Sequence, residues 1–419
     1  MTPFVRRVRP GLPFFAVLIA STVTVASCSS NTPDASGDPA SSMPSVSEMS
    51  GMADMPGMSP TADPSANAGL GPLTADPLPG MPALQNPLDV YAADRPNQLS
   101  PVVKGMPYRI YVPNTSSNTV TVINPVTYRV LTNYQVGNEP QHVVPSWDLK
   151  TLWVNNDLGN SLTPINPRTT KPGRPVKVND PYNLYFTPDG KRAVVMASKA
   201  RSLDFRDPHT MALRKSVHAP CLGVNHADWT ANGRYFLVSC EFSGDLLWVD
   251  TAKERVVTKL HLGSMSMPQD VKLSPDGTRF FVADMMNNGV WIVRVTANGP
   301  KIVKLLPTGR GAHGLYVSRD SQRLFIGNRG EGSISVLRFA DDTLVAKWHL
   351  PGGGSPDMGG VSPDGKVLWL SGRFNREVYA INTSTGALLA RIRVGSGPHG
   401  LAVYPQPGRY SLGHTGVFR

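Results

Sequence analysis

Cysteine is almost missing from this chain: three in 419 residues, at positions 28, 221 and 240. No Cys-x-x-Cys-His occurs, which excludes covalent attachment of c-type haem. Lysine and arginine are absent between Arg9 and Arg95, so the net charge of +11 belongs to the later part of the chain. No basic run with interleaved aromatics accompanies that charge, and nucleic acid is not expected as a partner. Long apolar runs are missing too. What is abundant is turn chemistry: glycine and proline number 39 each, with charged residues at 17%. Such a composition favours many short strands joined by turns over long helices.

Residues 1–27 place Arg6, Arg7 and Arg9 ahead of LPFFAVLIASTVTVA, a stretch too short and too soon ended for a stable membrane span. They are expected to be an export signal. VASC comes next, ending at Cys28, and resembles the lipobox of bacterial lipoproteins. The resemblance implies cleavage before Cys28 and acylation of its sulfur and amino terminus, the two hydrophobic chains that firm anchoring needs. It implies a lipid-anchored protein of the cell envelope, facing away from the cytoplasm. Ser29 does not resemble the aspartate retention signal, so the outer membrane is expected in a cell with two membranes. An ordinary secretory signal cut nearby is the alternative.

Residues 28–105 are rich in Pro, Ser, Ala, Gly and Met and poor in aromatic and β-branched residues. They cannot bury enough apolar surface to offset ordering and are expected to form a flexible tether. Within it, MSGMADMPGM spaces Met49, Met52, Met55 and Met58 three apart. That is the period of polyproline II, which would line up the thioethers as soft ligands for Cu(I). A linker of drifting composition is the alternative.

From residue 106 to 419 the pattern strand, Pro-Asp-Gly turn, strand recurs. It appears in NLYFTPDGKRAVVMAS, DVKLSPDGTRFFVAD and GGVSPDGKVLWLSG, and in degenerate form in HADWTANGRYFLVSC. Proline presets the backbone, aspartate caps the turn and glycine accepts the left-handed region. Aligned first strands begin at His142, Asn183, His226, Asp270, His313, Met358 and His399, at spacings of 41 to 45 residues. One four-stranded propeller blade fills each spacing. The chain enters at YRIYVPNTSSNTVTVINP as a second strand and finishes with PHGLAVYP as a first strand. Pairing the two closes an all-β, seven-bladed β-propeller without open edges. The SPDG turns, NTVTVINPVTYRVLTNYQVGNEPQHV and GSGPHGLAVYP resemble the YVTN-type propeller repeats of bacterial and archaeal envelope proteins, over residues 106–405.

The fold implied by that resemblance gathers first-strand starts and second-strand ends on one face of a central channel. His142, His226, His313, His399 and Met358 would meet there, beside Asp270 and Asn183. Met265, Met267, Met285 and Met286 join them in nearby loops, with His218, Glu241 and Asp284. Imidazole with thioether suits copper. Histidines that merely hydrogen-bond loop backbone are the alternative, as is Met285 and Met286 packing between blades. Cys221 and Cys240 lie at the same end of an antiparallel pair, and in an oxidising envelope a disulfide is expected, with paired thiolate ligands or free thiols as the alternatives.

The functional expectation is a membrane-anchored binding or scaffold protein, monomeric, presenting one face to a protein or small ligand and holding copper at the channel mouth. The alternative is a metal-dependent enzyme, since related propellers include lactonases and the propeller domain of nitrous oxide reductase. Acid–base candidates for it are His226 with Asp228 or Glu241, and Asp270 with His313. The resemblance carries no catalytic motif that transfers residue by residue.

Overall fold

The computed structural model describes residues 75–414 and 416–419. The expected export signal, Cys28, the row Met49, Met52, Met55 and Met58 and the expected tether as far as residue 74 lie outside the described residues.

Seven antiparallel sheets surround an axis. Their innermost strands are Ala402–Tyr404, Pro140–Pro145, Asn183–Phe186, Val224–Trp229, Pro268–Leu273, Ala312–Val317 and Pro356–Val361, for blades one to seven in turn. Five sheets have four strands. In blade two the outer strand is broken into Lys171–Pro172 and Val176–Lys177, and in blade three Ser411–Gly413 and Val417–Phe418 add to the inner edge. Among the described residues no helix is long and apolar enough to cross a membrane.

The Pro-Asp-Gly turns behave as their chemistry requires. In SPDG at 274–277 the Asp276 carboxylate accepts the Thr278 N–H at 3.0 Å, and Gly277 takes φ +71°. Between blades lie seven hydrophobic clusters, one for each pair of neighbours. A strand between two clusters therefore has apolar contacts on both faces, which is why Val194, Val195 and Met196, on the second strand of blade three, can stand in succession, all fully buried.

The ring closes where Ala402–Tyr404 pairs with Arg109–Asn114, in the register Arg109↔Tyr404, Ile110↔Val403 and Tyr111↔Ala402. Leu401 and Val403 pack with Ile110, Val112 and Trp369 in the cluster between blades seven and one. The residues after Tyr404 turn under the ring and enter the axis from below as a hairpin. Its strands pair Ser411↔Phe418 and Gly413↔Val417, and Gly413 pairs with Tyr185 on the otherwise free inner edge of blade three.

The segment from residue 75 to 105 departs from the expected tether. It crosses beneath the blades as a strap: Leu78, Val90 and Asn97 donate their N–H groups to the carbonyls of Asn232, Pro275 and Pro363. Leu78, Val90, Tyr91 and Val103 are buried. Each such side chain contributes about 1.5–3 kcal/mol of burial, and four apolar anchors spaced along a polar, proline-rich stretch suffice to seat it. The averaged composition conceals them.

Closure through the last inner strand makes a stability prediction. Leu401→Ala is expected to cost about 2–5 kcal/mol, whereas Leu344→Ala on the exposed outer strand of blade six should cost far less. Urea unfolding of both variants checks this; equal midpoints would mean the closing strand carries no special share of the stability.

Candidate metal centre

Each blade sends the start of its inner strand to the axis. In blades two, four, five, six and seven this strand is bulged immediately after its first pair, between Pro140/Val143, Val224/Ala227, Pro268/Val271, Ala312/Leu315 and Pro356/Gly359. A regular strand alternates its side chains, but a bulge inserts one residue and re-aims them. Two consecutive residues of each strand thereby reach the axis, and they form two layers.

In the register of the blades the lower layer holds His142, Asn183, His226, Asp270 and Met358, with Gly314 and Gly400 in the remaining places. The upper layer, one residue nearer the solvent, holds Gln141, Asn225, Gln269, His313, Asp357 and His399. Alignment of the repeats sets His313 and His399 level with His142 and His226, and the structure corrects this. The bulge hides the one-residue offset, and the glycine after each of the two histidines marks it. Gly400 has a reason: a Cβ there would lie 2.1 Å from Cδ2 of His142.

A fifth histidine arrives from outside the ring. His414 forms the tip of the axial hairpin, with φ +41°, a conformation uncommon for any residue but glycine. Its N–H donates to the Leu184 carbonyl at 3.0 Å. The ring of His414 is 4.5 Å from that of His226 and 5.0 Å from that of His142. One ligand atom from each of His142, His226 and His414 can be chosen so that all lie within 4.8 Å of one another. His142 Nδ1 is 3.0 Å from the Tyr182 carbonyl, and His226 Nδ1 is 3.3 Å from the Tyr185 hydroxyl. The Asn183 amide nitrogen lies 3.1 Å from His226 Nδ1 and 3.2 Å from His414 Nδ1. Asp270 Oδ1 stands 3.9 Å from His414 Nε2. The Nε2 atoms of His142 and His226 are buried with no hydrogen-bond partner in the protein.

In the upper layer Asp357 lies between His313, with Nδ1 3.0 Å from Oδ1, and His399, with Nε2 3.7 Å from Oδ2. These three form a second compact group. Arg329 and Arg373 reach the same carboxylate, at 3.2 and 4.0 Å. His399 Nδ1 is 2.9 Å from Gln141 Oε1.

Burial dominates the electrostatics. Desolvation pushes His142 down to about 3 and His313 to about 4, and holds His226, His399 and His414 well below the ordinary histidine value. All five imidazoles are neutral at physiological pH, the form that binds metals. Burial alone would raise Asp357, but His313 and the guanidinium of Arg329 outweigh it and hold the carboxyl below the usual carboxylate range. Burial raises Asp270 to about 6.

Below the layers the axis is closed. Arg419 donates to Asp228 Oδ1 at 2.8 Å, and its guanidinium lies 4.6 Å from the centre of the Tyr91 ring. Asp228 also accepts the Leu273 N–H of the next blade, as Asp270 accepts that of Leu315. Toward the upper face the axis is bordered by the half-buried Tyr182, Glu241, Arg329 and Arg373.

The other sequence candidates scatter. Met358 is buried, with its Sδ 3.5 Å from the Tyr316 hydroxyl. Met265 and Met286 are exposed, Met267 is half-buried, and Met285 places its Sδ 2.7 Å from Arg329 Nη2. His218 sits at the end of the outermost strand of blade three, exposed and far from the axis. Asp284 accepts hydrogen bonds from its own loop and from Trp291 Nε1. Cys221 and Cys240 form a disulfide across the top of blade four, with Cα atoms 6.1 Å apart. Sequence reasoning misses His414, Asp357, Arg329 and Arg373. The repeat pattern stops at the last ring strand and carries no signal for His414.

A family model for YNCE-like β-propellers matches residues 96–408. No curated protein matches the chain. Among solved structures, Kuenenia stuttgartiensis hydrazine synthase superposes with a TM-score of 0.58 at 22% identity, covering 70% of this chain and 97% of that one. A protein of unknown function from Desulfotomaculum acetoxidans gives 0.61 at 16% identity, covering 71% and 98%. A Bacteroides fragilis protein provisionally named 6-phosphogluconolactonase gives 0.56 at 16%, again covering 71% and 98%. At such identities the likeness concerns the fold alone.

The buried histidines make stability depend on pH. With His142 near 3 when folded and near 6.5 when unfolded, falling pH protonates the unfolded chain first, and stability is lost below about pH 6.5. Asp94 and Asp270, raised by burial to about 7 and about 6, work in the opposite sense because the folded state takes up their protons first. Comparing the metal-free protein with a His142→Asn variant cancels their contribution. The wild-type advantage is expected to be constant above pH 7 and to shrink below pH 6 by up to about 1.4 kcal/mol per pH unit. A difference that stays flat from pH 7 to 4 in urea unfolding would show that His142 is not held neutral.

Proposed function

Because the chain belongs to the YNCE-like β-propeller family, a fold that fixes no activity by itself, we propose from the axial site that it is a metal-binding propeller. His142, His226 and His414 hold one divalent transition-metal ion. The observation that carries this is the pair of buried Nε2 atoms, on His142 and His226, without a partner in the protein. A buried polar atom left unsatisfied costs about 1–3 kcal/mol, and folded proteins rarely tolerate two at one spot. Metal coordination at Nε2 needs the proton on Nδ1. The Tyr182 carbonyl is placed to accept it from His142.

Three neutral imidazoles suit copper or zinc, and copper(II) heads the divalent series. The exposed Met265 and Met286 argue against a thioether-rich Cu(I) site in the ring. Location is read from the amino-terminal sequence: the lipobox-like Cys28 supports an anchored envelope protein, and the Cys221–Cys240 disulfide suits an oxidising compartment. Its upper face then presents the loaded ion to a small ligand or a partner protein. A second reading, a hydrolase using metal-bound water, draws on Glu241, whose carboxyl burial raises at the channel mouth.

Titration calorimetry with Cu(II) and Zn(II), and the absorption spectrum of the Co(II) form, test the site. One ion per chain is expected. His226→Ala and His414→Asn should weaken binding more than the roughly 10–100-fold that loss of an outer-shell partner produces, while Met265→Ala should not change it. Asparagine tolerates the positive φ at position 414, so that variant keeps the hairpin. No uptake by the wild type, or unaltered affinity in both ligand variants, overturns the assignment.

A further inference from the structure

Above the three imidazoles the axis changes chemistry, from neutral nitrogen bases to paired charges. Arg329 and Arg373 come from adjacent blades and converge on the fully buried Asp357, with their own side chains 13% and 23% exposed. Two guanidiniums against one carboxylate leave a positive charge over, since His313 and His399 are neutral. The other carboxyls facing the mouth, Glu241 and Glu139, are both raised by burial and so hold their protons more readily than an ordinary glutamate. A second metal ion among His313, Asp357 and His399 would add two positive charges beside both guanidiniums, which disfavours that group as a metal site.

Arg373 Nη1, a donor, and Asp357 Oδ2, an acceptor, are buried here without a hydrogen-bond partner in the protein, as are His313 Nδ1 and Asn225 Oδ1. The first calls for an anionic oxygen and the second for a hydroxyl. One small molecule carries both: a carboxylate with a hydroxyl on the neighbouring carbon. Arginine is the residue best matched to a carboxylate.

We propose that the channel mouth binds a small α-hydroxycarboxylate, with its carboxylate on Arg329 and Arg373 and its hydroxyl on Asp357. This rests on the metal reading only in that the ligand would occupy the layer above the three imidazoles; the arginine contacts do not depend on the ion.

Glycolate, acetate and inorganic phosphate are titrated calorimetrically into the full chain, once stripped with a chelator and once loaded with Co(II). Glycolate is expected to bind both forms, more tightly than acetate or phosphate. Arg373→Gln should weaken glycolate by at least about tenfold while Co(II) uptake stays as in the wild type, and Arg373→Lys should recover part of the loss. Should Arg373→Gln fail to fold, Arg329→Gln takes its place. No heat with glycolate in either form, or equal affinity in the glutamine variant, overturns the proposal; acetate binding as tightly as glycolate overturns the hydroxyl contact. If glycolate binds through Arg373 and Co(II) does not bind at all, the metal reading falls and the hydroxycarboxylate site stands. If Co(II) binds and glycolate does not, the hydroxycarboxylate site falls and the metal reading stands.

Discussion

Three residue pairs, Arg109↔Tyr404, Ile110↔Val403 and Tyr111↔Ala402, join the two ends of the ring. An open ring of seven blades would expose the edge of blade one and one face of blade seven, so the cluster around Trp369, Val378 and Ile110 exists only because this pairing holds. The same pairing aims the last fifteen residues. Beyond Tyr404 the residues turn into the axis, where Gly413 pairs with Tyr185. The hairpin that plugs it, the Arg419 contact with Asp228 and the arrival of His414 among the other histidines all descend from that closure.

The axis sets the chemistry through the change in solvent access along it. At the lower end Arg419 is met by Asp228, and Asp228 and Asp270 each accept a backbone N–H of the next blade, while Lys272 Nζ is buried without a hydrogen-bond partner in the protein. These carboxylates tie neighbouring blades together at the point where their strands converge. In the middle, desolvation keeps the imidazoles uncharged, which lets five of them crowd together without repulsion. Toward the mouth, water reaches Arg329 and Arg373, and full charges become tolerable. A gradient of solvent access thus separates a set of neutral bases from a set of ion pairs within a single residue step along the strand.

Much of the ring is legible in the chain. The Pro-Asp-Gly turns announce antiparallel pairs through local backbone preference, and their even spacing announces blades, because each blade repeats the same local solution. His142 and His226 are found in this way, as are Cys221 and Cys240 at one end of a strand pair. The local pattern fails where an element answers to something distant. His313 and His399 align one layer too low because a bulge adds a residue without altering the strand's composition. Leu78, Val90 and Tyr91 average into a tether because their burial depends on residues about 150 to 190 positions further along. Met265 and Met286 share the right loops with the histidines yet point to solvent, since loop position does not dictate side-chain direction.

The sequence by itself determined the repeat, the number of blades, the closure and the family of side chains that approach the axis, because all of these rest on short-range turn chemistry and on the two-residue period of a strand. Only the tertiary structure decided which of them meet. His142, His226 and His414 are separated by 84 and 188 residues, and no local preference links them. They converge because a closed ring has one axis, a bulge turns consecutive residues into it, and the segment left over after closure fills it.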